Sequence, residues 1–200
     1  MFKIELSQEP YITYKGQHLS ISDFFKIENI NKLPWVEAQV SISGIECINH
    51  EKRKTKEFPH EVFITDLDDS FYEFLLKENL ETTQWKVLKY EKGDFFSKHV
   101  DKIGLYTVLL FPKDVQNLKG GELCIENEQT FKPGELLKHT ILIFPVDCPH
   151  EVKEIIEGER YVIKTSLIPN GNFEVKDVEK EIDGELYDGG YYKGEPIGDY

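Results

Sequence analysis

From residue 84 onward the chain is written in short apolar runs with punctuation between them. "QWKVLKY", "LYTVLLFP", "GGELCIE", "HTILIFP" and "GERYVIKTSLI" are rich in β-branched, aromatic and aliphatic residues, and Gly, Pro, Asp or Asn separates them. Runs of this length, with turn residues recurring every 8–12 positions or so, predict the strands of a sandwich or barrel. Earlier parts of the chain read differently. "SDFFKIENINKL" (22–33) predicts a helix capped by Ser22 or Asp23 and stopped before Pro34. "WVEAQVSISGIECI" (35–48) predicts extended chain with its alternation broken at Gly44. "DDSFYEFLLKENL" (68–80) predicts the best helix, capped by Asp68 or Asp69, with Phe71, Phe74, Leu75 and Leu80 near one face. The expected class is mainly β with flanking helices packed outside a pair of sheets. One domain over residues 1–170 is expected, followed by an acidic, Gly- and Tyr-rich tail (171–200) that is disordered or forms a small hairpin.

Composition narrows the partners. The net charge of -13 and a pI near 4.9 repel phosphate backbones and anionic headgroups, so neither nucleic acid nor a membrane is expected. The dense basic run "EKRKTKEF" (51–58) is read as a solvated loop. Cys47, Cys124 and Cys148 form no CxxC pair and no ladder, which suits a reducing, cytoplasmic setting. No signal peptide is visible in "MFKIELSQEP", and no apolar run approaches the roughly 18 residues of a membrane span.

Candidate chemistry lies in the histidines. The tetrapeptide PHEV occurs twice, at 59–62 and 149–152. The first copy leads toward a helix, and His60, like His139, is assigned to structure or surface. The second follows the apolar strand "TILIFP" and precedes a strand opening with Arg160. His99 and Asp101 form a His-x-Asp pair, and on an extended strand both side chains point to one face. With His150 they make two imidazoles and one carboxylate, the facial triad suited to non-haem Fe(II). Arg160 follows His150 at a distance that could place a bidentate guanidinium on an anionic co-substrate.

This order resembles the Fe(II)/2-oxoglutarate-dependent dioxygenases, prolyl 4-hydroxylase-like branch, over residues of about 85–168. Tyr90 and Gly93 in "LKYEKGDFFSKHVD", the Thr-bearing "YTVLLFP", the "KGGELCIE" turn, "KPGELL" with "ILIFP", and "PHEVKEIIEGERYVIKTSL" carry the resemblance. It implies a double-stranded β-helix, a jelly-roll relative with the metal near one mouth. His99, Asp101 and His150 would be the metal ligands and catalytic centre. Arg160 would bind the distal carboxylate of 2-oxoglutarate, Tyr90 would donate a hydrogen bond near it, and Lys164 would share or exchange the role of Arg160. Fe(II), 2-oxoglutarate and O2 are the implied cofactor and co-substrates, with ascorbate as an accessory. Leu123 and Phe111 stand where relatives carry Thr and Tyr.

The implied reaction is hydroxylation of an unactivated C–H bond, with a prolyl or other side chain of a protein or peptide as substrate. The alternatives are a non-catalytic β-helix binding module, or a dioxygenase acting on a small molecule or nucleobase. In the tail, Tyr187, Gly189, Tyr191, Gly194 and Gly198 are spaced like a single MORN repeat.

Overall fold

A computed structural model describes residues 1–26, 33–42, 45–112, 118–126, 129–132, 135, 140–171 and 187–188. Eight strands carry the argument: β1 (Phe2–Glu5), β2 (Lys86–Tyr90), β3 (Phe95–Asp101), β4 (Tyr106–Phe111), β5 (Leu123–Ile125), β6 (Thr140–Pro145), β7 (His150–Val152) and β8 (Arg160–Pro169). One sheet runs β1-β6-β4-β8-β2 and continues through Lys56–Glu57 to Val36–Glu37, while Leu80–Thr82 pairs with β8. The other runs from Gln129–Phe131 through β5, β7 and β3 to Tyr187–Asp188, Val40–Ile42 and Ile45–Cys47. From β2 to β8, each successive strand crosses to the opposite sheet. That alternation is the double-stranded β-helix.

The sheet holding β4, β6 and β8 is covered on both faces, which explains why its strands read as nearly unbroken apolar runs. Leu88, Leu109, Phe111, Leu142, Phe144 and Val162 point toward the other sheet. Val87, Val108, Leu110, Ile141, Ile143 and Ile163 point away from it, into a second apolar layer built largely from the N-terminal third. There helix α1 (Ile21–Phe24) buries Ile21 and Phe24, and α2 (Asp69–Lys77) buries Phe71. The side chain of Asp68 accepts from the Ser70 amide at the start of α2 (3.0 Å), satisfying an otherwise orphan donor.

Three expectations need correction. Of the helix predicted over 22–33, the described residues show one turn (Ile21–Phe24) capped by Ser20, not by Ser22 or Asp23, and residues 27–32 lie outside the described residues. The helix predicted over 68–80 ends at Lys77, and Leu80 is buried in a strand against β8. The basic run 51–58 is not a solvated loop. Arg53–Lys54 pairs with β3 and Lys56–Glu57 with β2, and both Arg53 and Thr55 are buried. Charge density misled there because the lysines lie in paired strands beside carboxylates: Lys54 meets Asp94 at 3.6 Å, and Lys56 bonds Glu91. His139 lies outside the described residues, as does all of the MORN-like tail except Tyr187 and Asp188. No described helix is long and apolar enough to cross a membrane.

Gly104, in the turn joining β3 to β4, has φ +82°, and a Cβ there would meet the Leu167 carbonyl oxygen at 2.3 Å. Gly16 has φ +73° but open space around it. Gly104→Ala should therefore cost about 1–3 kcal/mol or more of unfolding free energy, and Gly16→Ala clearly less. Denaturant titration of the two variants against the parent measures the difference.

Candidate metal centre

A β-bulge prepares the site. Strict alternation would put Phe96 and His99 on opposite faces of β3. The register against β7 slips between them, so both turn inward and both are buried. Beyond the slip, His99 and Asp101 keep the period of two and share the inner face, while His150 on β7 lies directly opposite His99. The ligand atoms of His99, Asp101 and His150 lie within 4.8 Å of one another, and all three residues are buried. His99 Nε2 stands 3.9 Å from Asp101 Oδ1, and His150 Nε2 3.8 Å from Asp101 Oδ2.

The orientation of both rings is fixed from behind. His99 Nδ1 lies 2.8 Å from the Ser97 carbonyl oxygen, and His150 Nδ1 3.0 Å from that of Cys148. A carbonyl only accepts, so each Nδ1 carries the proton and donates. In the neutral ring each Nε2 then keeps its lone pair toward the partner side chains, the tautomer a metal needs. Phe96 stacks on the His99 ring at 3.5 Å, and Phe144 meets His150 edge-on at 4.9 Å, so neither ring is free to turn.

Asp101 is held just as tightly. Thr107, on β4, donates to Oδ2, and Lys164, on β8, to Oδ1 at 2.7 Å. Burial alone would raise the carboxyl's pKa. Lys164, which donates to the carboxylate, outweighs that, joined by His150 and His99 whenever those rings carry a second proton, and holds it well below the usual carboxylate range, so Asp101 is an anion. Two neutral imidazole nitrogens and one carboxylate, on rigid strands with one side open to a cavity, suit a divalent ion such as Fe(II).

That cavity is lined by Tyr90, Leu109, Leu123, His150, Arg160 and Lys164, among others. Arg160 and Lys164 share the inner face of β8. Arg160 is buried, with its guanidinium 5.5 Å from the Tyr90 ring centre, 5.7 Å from that of Phe111, and Nη1 donating to the Gly121 carbonyl at 3.2 Å. Burial lowers its pKa, though a guanidinium stays charged. Tyr90 sits directly across from Arg160 in the β2–β8 register.

Sequence reasoning missed Arg53, which lines the same cavity with its guanidinium 4.5 Å from the Phe96 ring and donates to the Gln39 carbonyl at 2.9 Å. Thr107 carried a signal: it is the polar member of an inward set whose other members, Leu109 and Phe111, are apolar. The first PHEV places His60 at the surface against Tyr14 and Phe58 (5.7 and 5.2 Å between ring centres). Burial raises the Cys148 thiol pKa, with Glu126 and Asp147 adding to it, and the residue's carbonyl is what meets His150.

Comparison with known proteins agrees with this geometry. Residues 85–166 match the family model of the 2OG-Fe(II) oxygenase superfamily, a span from the start of β2 into β8 that contains the whole His-Asp-His group. This segment is a 2OG-Fe(II) oxygenase domain. Such a domain makes the protein a 2-oxoglutarate-dependent dioxygenase. No protein of curated function matches the sequence. Among solved structures, the oxygenase fold is similar to that of a Trichoplax adhaerens prolyl hydroxylase in complex with a hypoxia inducible factor peptide fragment. The TM-score is 0.52 at 17% identity, covering 80% of this chain and 83% of that one. A viral collagen prolyl hydroxylase from Paramecium Bursaria Chlorella virus-1 aligns with TM-score 0.47 at 16% identity, over 58% of this chain and 79% of that one.

Lys164 is the nearest cation to the buried carboxylate of the oxygenase site. Lys164→Met should destabilise the metal-free protein by about 3 kcal/mol, the scale of stranding one partner of a buried pair. Thermal unfolding in the presence of a chelator reads this directly, and Lys164→Arg should recover part of the loss.

Proposed function

We propose that the protein is an Fe(II)- and 2-oxoglutarate-dependent hydroxylase whose substrate is a side chain of a protein or peptide, with proline first. The observation that carries this reading is the ring orientation: two histidines opposite each other, each Nδ1 tied to a carbonyl and each Nε2 turned toward one anionic carboxylate. A purely structural histidine pair has no need of that arrangement. His99, Asp101 and His150 would hold Fe(II), which with 2-oxoglutarate and O2 supplies oxidative decarboxylation coupled to C–H hydroxylation.

The chain's own residues then divide the remaining work. Arg160, at the inner end of the cavity, would pair with the distal carboxylate of 2-oxoglutarate, and the Tyr90 and Phe111 rings exclude water from that contact. Tyr90 would add a hydrogen bond. Lys164 is engaged by Asp101, which favours Arg160 as the clamp and Lys164 as the group that steadies the carboxylate. The peptide preference is supported by the fold shared with a prolyl hydroxylase solved with a peptide bound. Three free cysteines suit a reducing cytoplasm. The spacing at 187–198 is taken as a MORN-like unit, and ascorbate as an accessory reductant.

His150→Ala should weaken Co(II) or Fe(II) binding by well over tenfold, since loss of a ligand exceeds the 10–100-fold typical of its supporting partners, and should abolish succinate release. His60→Ala should leave both unchanged. Calorimetric titration with Co(II) and a succinate assay separate the two copies of PHEV, and equal damage from both changes would overturn the assignment.

Arg160→Ala should raise the 2-oxoglutarate requirement at least tenfold, because truncating one partner of a buried charge pair costs roughly 2–5 kcal/mol. Lys164→Ala should raise it less. Succinate release measured against 2-oxoglutarate concentration decides, and a larger effect at Lys164 would make that residue the clamp. A gain of one oxygen in a peptide library would establish the substrate class, whereas turnover without such a gain would point to a small molecule.

A further inference from the structure

β3 carries the His-x-Asp pair, and its outer edge is closed by two different pieces of chain. Arg53–Lys54 covers Phe95 and Phe96. Beyond them, at the metal end, the tail strand Tyr187–Asp188 lies parallel to β3, with Val100 opposite Tyr187 and Asp101 opposite Asp188. On its far side Tyr187 pairs with Ser41 of Val40–Ile42. The tail strand is therefore the middle member of three. Neighbouring strands lie about 4.8 Å apart, so β3 and Val40–Ile42 flank a slot about 10 Å across, the width of one extended chain. The Asp101 amide is bonded inward to the Val146 carbonyl (2.9 Å). Successive residues of a strand direct their backbone groups to opposite edges, so the Val100 N–H and C=O face the slot. Its far wall is a hairpin whose Ile45 and neighbouring Ile48 are exposed, an apolar rim beside a backbone track.

We infer that this slot is where an extended peptide substrate adds as a strand alongside β3, and that the tail strand occupies it as a competitor from the same chain. The inference rests on the peptide-hydroxylase reading above. Strand addition suits the task for a physical reason. Main-chain bonds to Val100 would fix the register of the peptide one residue from a metal ligand, so a chosen side chain reaches the cavity whatever its neighbours are. A two-residue pairing is held by few bonds and is displaceable. Its covalent link to the domain gives it an effective concentration on the order of millimolar, enough to set a threshold that a substrate must beat.

The full-length variant Tyr187→Pro/Asp188→Pro removes both tail amides from the pairing. Hydrogen exchange at Val100 should become at least tenfold faster than in the parent, while Asp101, bonded on the other edge, should keep its rate and so report an intact fold. A synthetic peptide of residues 181–190 should bind the variant at least tenfold more tightly than the parent. With Co(II) in the protein, its NMR signals should broaden through proximity to the metal. Equal Val100 exchange in the two proteins, equal peptide affinity, or a bound peptide without broadening would each overturn the proposal. Succinate release without added peptide is measured in parallel. If it is absent from both proteins the hydroxylase reading fails, and exchange, affinity and broadening still decide the slot.

Discussion

Antiparallel pairing of β3 with β7 holds the two histidines face to face, and the rest of the molecule is arranged so that this pairing cannot slide. The bulge between Phe96 and His99 fixes where the register restarts. β5 clamps the other edge of β7, with Ile125 opposite His150. Gly104 then allows the chain to turn from the end of β3 directly into β4, which returns Thr107 to the Asp101 carboxylate. A one-residue slip anywhere in this circuit would send an imidazole to the outer face.

Electrostatics follow from that geometry. A carboxylate almost without exposure is costly unless it is paired, and Asp101 meets a lysine, a threonine hydroxyl and two imidazoles. Each comes from a different strand or position, so one anion ties β3, β4, β7 and β8 together at the mouth of the cavity. Arg160 lies farther along β8 between two aromatic rings, and the two basic side chains of that strand therefore do different work. Lys164 faces a charge the protein already supplies, whereas Arg160 faces a space a ligand's charge could fill.

Much of this was legible in the chain itself. The short apolar runs gave the strands from 84 onward because both faces of one sheet are buried, and burial on two sides writes an unmistakable pattern. The His-x-Asp spacing and the second PHEV were legible because period-two geometry is local. Less visible were features that depend on distant partners. The basic run 51–58 looked solvated because its lysines find carboxylates at 91 and 94, which proximity in sequence cannot reveal. The cap of the turn at 21–24 was misplaced because capping residues are plentiful there, and Ser20 took the role two residues before Ser22. The β-bulge left no mark, since an extra residue in a strand changes no composition.

The carbonyls of Ser97 and Cys148 each sit two residues before the histidine they orient. Backbone, not side chain, does the orienting, so the residue type at either position is free to drift without disturbing the imidazoles. Substituting Ser97 or Cys148 with other small residues leaves the same acceptor in the same place. The support behind the two rings is thus inherited with the strand conformation, and it would persist through sequence change that erased every recognisable neighbour of the histidines.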